Sequence, residues 1–388
     1  MTRPLELIDE LCPDGVEYKK LGECLIPTQN IKWKQVSNNL KYSYIDLTSV
    51  NRDTHKIEET ATISSDSAPS RAQQIIKKDD VIFATTRPTL MRYCIIDDNY
   101  NDSICSTGFC VLRSNTNLVL PKWIYHNVSS KGFEFYVESH QQGASYPSIA
   151  DKELKKYLIP VPPLEIQREI VRILDKFTEL TAELTAELTA REQQYEYYEH
   201  ALLQNMGVFQ RLKLDDVANI SVGKKPLDSI SDEGEYEYIN AGTTRSGFTK
   251  NYNCLGDVVT TPSRGQGGIG YIGYQKNNFW LGPLCYQIRS KNKNCLNKFL
   301  YYSMRDDNAI ILKMKKEGGT PALNGNDLKN FPINLPPLAE QQRIVDVLDR
   351  FDAICHDLTA GLPAEIETRQ KQYEYYRDKL LTFKRKEA

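Results

Sequence analysis

The sequence predicts an α/β (α+β) fold in which two globular domains alternate with two long helices, the helices pairing as an antiparallel coiled coil about an approximate two-fold axis. Three observations carry this prediction. The chain repeats itself: 158–177 reads LIPVPPLEIQREIVRILDKF and 332–351 reads PINLPPLAEQQRIVDVLDRF, so Pro162, Gln167, Ile170, Asp175 and Phe177 fall on Pro336, Gln341, Ile344, Asp349 and Phe351 at a constant offset of 174. Both copies continue as amphipathic stripes with apolar residues at steps near three and four. Short apolar runs such as Val81–Ala84 and Phe109–Leu112, set between Gly/Pro/Asn/Asp clusters, read as strands.

In chain order, residues 1–157 form the first globule. Fainter matches tie it to the second, 206–331: Tyr42, Tyr44 and Ile45 to Tyr236, Tyr238 and Ile239; Asp80, Val81 and Arg87 to Asp257, Val258 and Arg264. The offset slides from 194 to 177 between those anchors, which places an insert within 46–79 of the first copy. In 158–205, Pro162-Pro163 punctuates a helix start, because proline is tolerated in a first turn. Ile166, Ile170, Ile173, Phe177, Leu180, Leu184, Leu188, Tyr195 and Leu202 then make one stripe along about forty residues, roughly 60 Å at ~1.5 Å per residue. A tandem unit, TAEL, occupies 181–184 and 185–188. Residues 332–388 keep the stripe through Ile344, Val347, Phe351 and Leu358, meet Gly361 and Pro363, and resume through Tyr373 and Leu380. A helix of that length needs a partner for its apolar stripe, and the other copy supplies it.

Composition bounds the function. In 388 residues, 49 Lys+Arg against 51 Asp+Glu give a net charge of −2, so no bulk positive field holds this chain to nucleic acid. The segment 163–204 carries nine acidic and four basic residues and 331–388 ten and nine, which leaves the rest, mostly the two globules, at +4. Any phosphate contact must therefore use local patches. No apolar run approaches a membrane span, no signal-like segment opens the chain, and nine cysteines without a framework fit a reducing cytoplasm. No Cys-x-x-Cys or His-x-x-x-His spacing offers a zinc site.

Gly265–Gly270 matches G-x-G-x-x-G, but the alternating Tyr271-Ile272-Gly273-Tyr274 follows it where a dinucleotide fold needs a helix. It reads as a glycine-rich turn that lets backbone approach a ligand, with Thr261, Ser263, Arg264 and Gln266 beside it. No P-loop occurs, and Asn334-Leu335-Pro336-Pro337-Leu338 lacks the aromatic of an adenine-methyltransferase N-P-P-[YF] motif. The loops before each helix are similar in kind, Gln141-Gln142-Gly143-Ala144-Ser145-Tyr146-Pro147 and Lys315-Lys316-Glu317-Gly318-Gly319-Thr320-Pro321. Such mixtures of small, polar, basic and aromatic residues suit phosphates and base edges, and equally suit an ordinary surface loop. Lys77, Lys78, Arg87 and Arg92 in the first globule, and Lys224, Lys225 and Arg245 in the second, are the further candidates for phosphate contact. The twinning of Arg87 with Arg264 singles out that pair.

Two variable globules on two well-matched helices, the PPL-x-x-Q-x-x-IV entry and the TAEL unit together resemble the specificity subunit of type I restriction–modification enzymes, in the subgroup with TAEL spacer repeats. The likeness runs along essentially the whole chain and is most specific at 158–204 and 332–382. It implies two target recognition domains that each read half of a bipartite double-stranded DNA site, with the helices as ruler and as docking surface for two methyltransferase subunits. Motor–nuclease subunits join that core. S-adenosylmethionine, ATP and magnesium are expected on those partners and no cofactor on this non-catalytic chain. The alternatives are a methyltransferase–recognition fusion, which lacks its motif here, and a coiled-coil scaffold, which needs no divergent globules.

Overall fold

The computed structural model describes residues 2–204, 209–227, 229–265, 267–316 and 318–387. It divides into two compact units, Met1–Glu183 with Ile366–Ala388, and Leu184–Glu365. Each unit therefore joins one globule to stretches of helix from both repeats.

In the first unit, Val81–Ala84 is the middle strand of an antiparallel sheet, flanked by Tyr93–Ile95 and Phe109–Leu112. All four of its residues are buried because both faces are covered. Val81 and Phe83 point to a core with Trp123, Ile124 and Phe133 from the helices Pro121–Val128 and Lys131–His140. Ile82 and Ala84 point the other way, to Ile45, Val50, Cys94, Phe109 and Val111. That alternation is the two-residue period of a strand. The insert within 46–79 supplies two further strands, Ala61–Ile63 and Ala72–Ile75, to a five-stranded sheet. Leu158–Pro160 pairs with Tyr18–Lys20, and the chain then enters the long helix Leu164–Gln204. Ile166, Ile170, Val171 and Leu174 bury its first turns in the globule's own core. The C-terminal helix Leu362–Leu380 packs beside them, with Tyr376 stacked on Phe177 at 5.5 Å between centroids. Leu380, Leu381 and Phe383 complete that core.

The second unit repeats the plan. Val258–Pro262 lies between Cys285–Ser290 and Gly273–Gln275, and Gln210–Lys213 pairs with Pro332–Leu335 just before the helix Leu338–His356. Here the later turns of the long helix do the packing: Tyr195 and Leu203 meet Phe299, Tyr302, Ile344 and Leu348. The helix expected to falter near Gly361 and Pro363 does so, stopping at His356 and resuming at Leu362. All nine cysteines are free and eight are buried; burial pushes the Cys94 thiol up to about 12.

The paired glutamines explain why the helix entry repeats. Gln167, fully buried, donates to the Leu118 and Pro162 carbonyls, both at 2.8 Å, and accepts from Leu120 N at 3.0 Å. Gln341 donates to the Asn294 and Pro336 carbonyls, both at 2.8 Å, and accepts from Leu296 N at 2.9 Å. Each amide clamps a helix start to its own globule. Losing it would strand three buried backbone groups, at ~1–3 kcal/mol apiece. The next layer differs between units. Buried His126 bonds Asp175 at 3.2 Å and Tyr373 at 3.0 Å, and burial pushes its pKa down against the pull of Asp175. In the second unit Tyr302 bonds Asp349, and Arg305 forks onto Glu199 at 2.7 Å from both nitrogens.

Candidate nucleic-acid interface

In the first domain the Val81–Ala84 strand runs out into Thr85, Thr86 and Arg87. Gln142 and Ser148 exchange two backbone bonds of 2.8 Å and close the 142–148 segment into a loop, with Gly143 at φ +96. Thr86 bridges Ser148, and Arg87 N donates to Pro147 O at 2.7 Å. The structure thus brings Arg87, Gln142, Ser145 and Tyr146 together from 55 residues apart in the chain. Arg87 sits at φ +47, a left-handed conformation that is uncommon for a non-glycine residue. Its guanidinium lies 4.8 Å from the centroid of the Tyr146 ring, and that ring is 73% exposed. Stacking holds the cation for about 0.5–1 kcal/mol. The residue is exposed, and a guanidinium's N–H donors suit phosphate oxygens or a guanine edge. Among the described residues no carboxylate pairs with Arg87. Gln141 differs from its neighbour: its Oε1 is buried without a hydrogen-bond partner.

The second domain builds the same feature. Lys316 and Ala322 exchange backbone bonds of 2.9 and 3.1 Å, Arg264 bridges Ala322, and Gly265 N donates to Pro321 O at 3.2 Å. Arg264, Lys316 and Thr320 are exposed there. Lys316 lies 3.5 Å from Asp327, and Lys315 is half-buried.

The hydrogen bonds correct one expectation. Pro147 and Pro321 hold corresponding places, and they accept from Arg87 and Gly265 respectively. Val81 stands opposite Leu112, while it is Val259, not Val258, that stands opposite Ile288. The true offset along this strand is 178, one more than residue identities suggest, so the structural counterpart of Arg264 is Thr86 and that of Arg87 is Gly265. Gly265, at φ +125, takes the positive-φ place that Arg87 occupies in the first domain.

Two comparisons with known proteins settle the family. A model of the type I restriction modification DNA specificity domain matches residues 13–191 and again 207–368. The chain belongs to the type I restriction–modification DNA specificity family. It is 33% identical over 306 residues to the Escherichia coli EcoR124I/EcoR124II specificity subunit, covering 72% of this chain and 74% of that one. It is 32% identical over 286 residues to a putative type I restriction enzyme specificity subunit of Haemophilus influenzae, covering 68% and 72%. The fold is that of the type I S subunit from M. genitalium, with a TM-score of 0.64 over 95% of this chain and 96% of that one at 16% identity. DNA recognition within a restriction–modification complex is the role of this family, and the matched segments coincide with the two copies of the repeat.

The remaining sequence candidates differ in burial and in partners. Thr261 is fully buried inside its strand, with its hydroxyl unpartnered, and cannot reach DNA; Ser263 is buried beside it. Thr261 sits within the buried strand Val258–Pro262 and Ser263 directly follows it, which the mixed Thr/Pro/Ser run conceals. Arg92 is spent on the Leu47 and Val50 carbonyls at 2.9 and 2.8 Å and pins the insert. Lys77 pairs with Asp102, and Lys78 with Asp98 at 2.7 Å, on the 98–102 turn rather than the 142–148 loop. Arg245 lies 3.4 Å from Glu237 and over the Phe248 ring. Lys224 and Lys225 are exposed; Gln266 lies outside the described residues. Sequence reasoning missed the contact of Arg87 with Tyr146, which depends on the Thr86–Ser148 bridge and the Arg87 N to Pro147 O bond. Among the described residues no cluster could hold a metal ion, and no helix is long and apolar enough to cross a membrane.

Proposed function

We propose that this chain is the non-catalytic recognition subunit of a type I restriction–modification enzyme, in which 1–157 and 206–331 are two target recognition domains that each read one half of a bipartite double-stranded DNA site. The helical regions 158–205 and 332–388 set the unread spacer and dock two methyltransferase subunits, to which motor–nuclease subunits add. One observation carries the reading. A strand end closed against a seven-residue loop occurs once in each unit with the same backbone bonds and different side chains: Arg87, Ser145 and Tyr146 in one, Arg264, Lys316 and Thr320 in the other. A shared scaffold with divergent contact groups suits two different half-sites, since phosphate contacts position a protein and base contacts specify it. S-adenosylmethionine, ATP and magnesium belong to the partners, in keeping with a sequence that has neither P-loop nor N-P-P-[YF] motif. The test is methyl transfer by the purified chain with and without its methyltransferase subunits. Sequence-specific transfer only with both supports the proposal; transfer by the chain alone contradicts it.

A further inference from the structure

The two domains differ most in one place that the repeat lets us compare residue by residue. In the first, the sheet face made by Ile82, Cys94, Ile96, Phe109 and Val111 is a closed apolar core, capped by Ile45 and Val50. The ladders identify the counterparts. Thr260 pairs with Gln287 and Gly273 as Ile82 pairs with Val111 and Cys94, and Pro262 pairs with Cys285 as Ala84 pairs with Phe109. Gln275 takes the place of Ile96. The face has changed from apolar to polar and small. In the first domain the 46–50 segment is pulled onto the sheet by Arg92, whereas in the second Asn240 accepts from Leu284 N at 3.0 Å and residues 241–245 line an opening over the sheet. The result is a cavity of about 210 Å³, floored by Thr260 and Cys285 and walled by Asn240, Thr244, Tyr271 and Gln275.

A core that gives up packing at five aligned positions loses stability unless something fills the space. The size argues for a single ring system: an engineered cavity of ~150 Å³ holds benzene, and drug-sized ligands take ~300 Å³ or more. The lining argues for a polar ring. The Gln275 amide, held by its 3.2 Å bond to Thr260, the Thr243 and Thr244 hydroxyls and the half-exposed Tyr271 ring offer edge bonds and a stacking face. The location argues for DNA as its source. A Cβ on Gly268 would come within 2.8 Å of Gly242 N, so the glycine-rich turn that begins beside Arg264 lies directly on the loop walling the cavity.

We infer that this cavity receives one nucleobase, unstacked from the half-site that the second domain reads and recognised there by its hydrogen-bonding edge. The inference rests on the DNA-recognition reading above. A base taken out of the stack exposes the same edge that Watson–Crick pairing uses, and the protein groups described can bond it.

The test uses the full chain in complex with its methyltransferase subunits and duplexes carrying 2-aminopurine at each purine of either half-site in turn. Each methyltransferase subunit flips its own target base, so the expected result is a several-fold fluorescence rise from that flip in each half-site and one additional bright position in the second half-site alone. Restoring the first domain's side chains by Thr260→Ile with Gln275→Ile should abolish the additional rise and relax the methylated sequence at that position, leaving the first half-site unchanged. Thr244→Val, on the exposed loop, should weaken the same signal without touching the sheet. An active enzyme with no additional bright position in the second half-site, or a refilled variant that methylates an unaltered sequence, overturns the cavity's role while leaving DNA recognition standing. Failure of the unmodified complex to bind DNA overturns both.

Discussion

Arg87 and Arg264 reach the solvent by different backbone routes. Arg87 holds the left-handed conformation itself and leans on Tyr146, whereas Arg264 leaves the strained place to Gly265. One cation therefore sits over a ring, and the other precedes a glycine at positive φ. We propose that each contacts one phosphate, and each phosphate released of its counterions contributes close to one unit to the salt dependence. Replacing either by alanine should weaken DNA binding by the complex and lower the slope of log K against log salt by about one. Full affinity with an unchanged slope, measured by titration at several salt concentrations, would return both to ordinary surface charges. Thr261 and Arg92 show why residue type alone misplaced other candidates: a hydroxyl inside a buried strand and a guanidinium capping two carbonyls both serve the fold.

The helices were the most legible elements, because their repeat is held by burial on both sides. Gln167 and Gln341 keep identity and spacing since each satisfies three backbone groups at a helix entry, and the Gly361–Pro363 break fell where the stripe lapses. The loops were less legible. Along the second domain's Val258–Pro262 strand the counterparts lie one position from where residue identities put them, and faint side-chain matches do not resolve a shift that the ladder bonds do. The polar face of the second domain was readable in Thr260-Thr261 against Ile82-Phe83, but only once that register was known. Within the long helix the two TAEL units at 181–188 carry half-buried leucines, Leu184 and Leu188, every fourth residue. Adding one unit after Leu188 lengthens the helix by about 6 Å and rotates its remaining turns by roughly 40°, so the apolar stripe nearly keeps its register. With ~3.4 Å per base pair, the methylated spacer should grow by about one or two base pairs while both half-sites stay as they are. An active insertion variant with an unchanged spacer would defeat the ruler.

At the scale of the molecule, each compact unit owns a complete globule, its helix entry and its own strand-end loop, and each globule buries a separate core. The helix entries are nearly identical while the loops and cavities differ, which is the pattern expected when docking is shared and recognition is not. The central claim is that the two domains read independently. It is tested most directly by replacing residues 15–155 with the corresponding domain of another family member and mapping methylation in cells that carry the chimera. The account predicts one new half-site, with the second half-site and the spacer retained. Alteration of both half-sites, or of neither in an active enzyme, would contradict it.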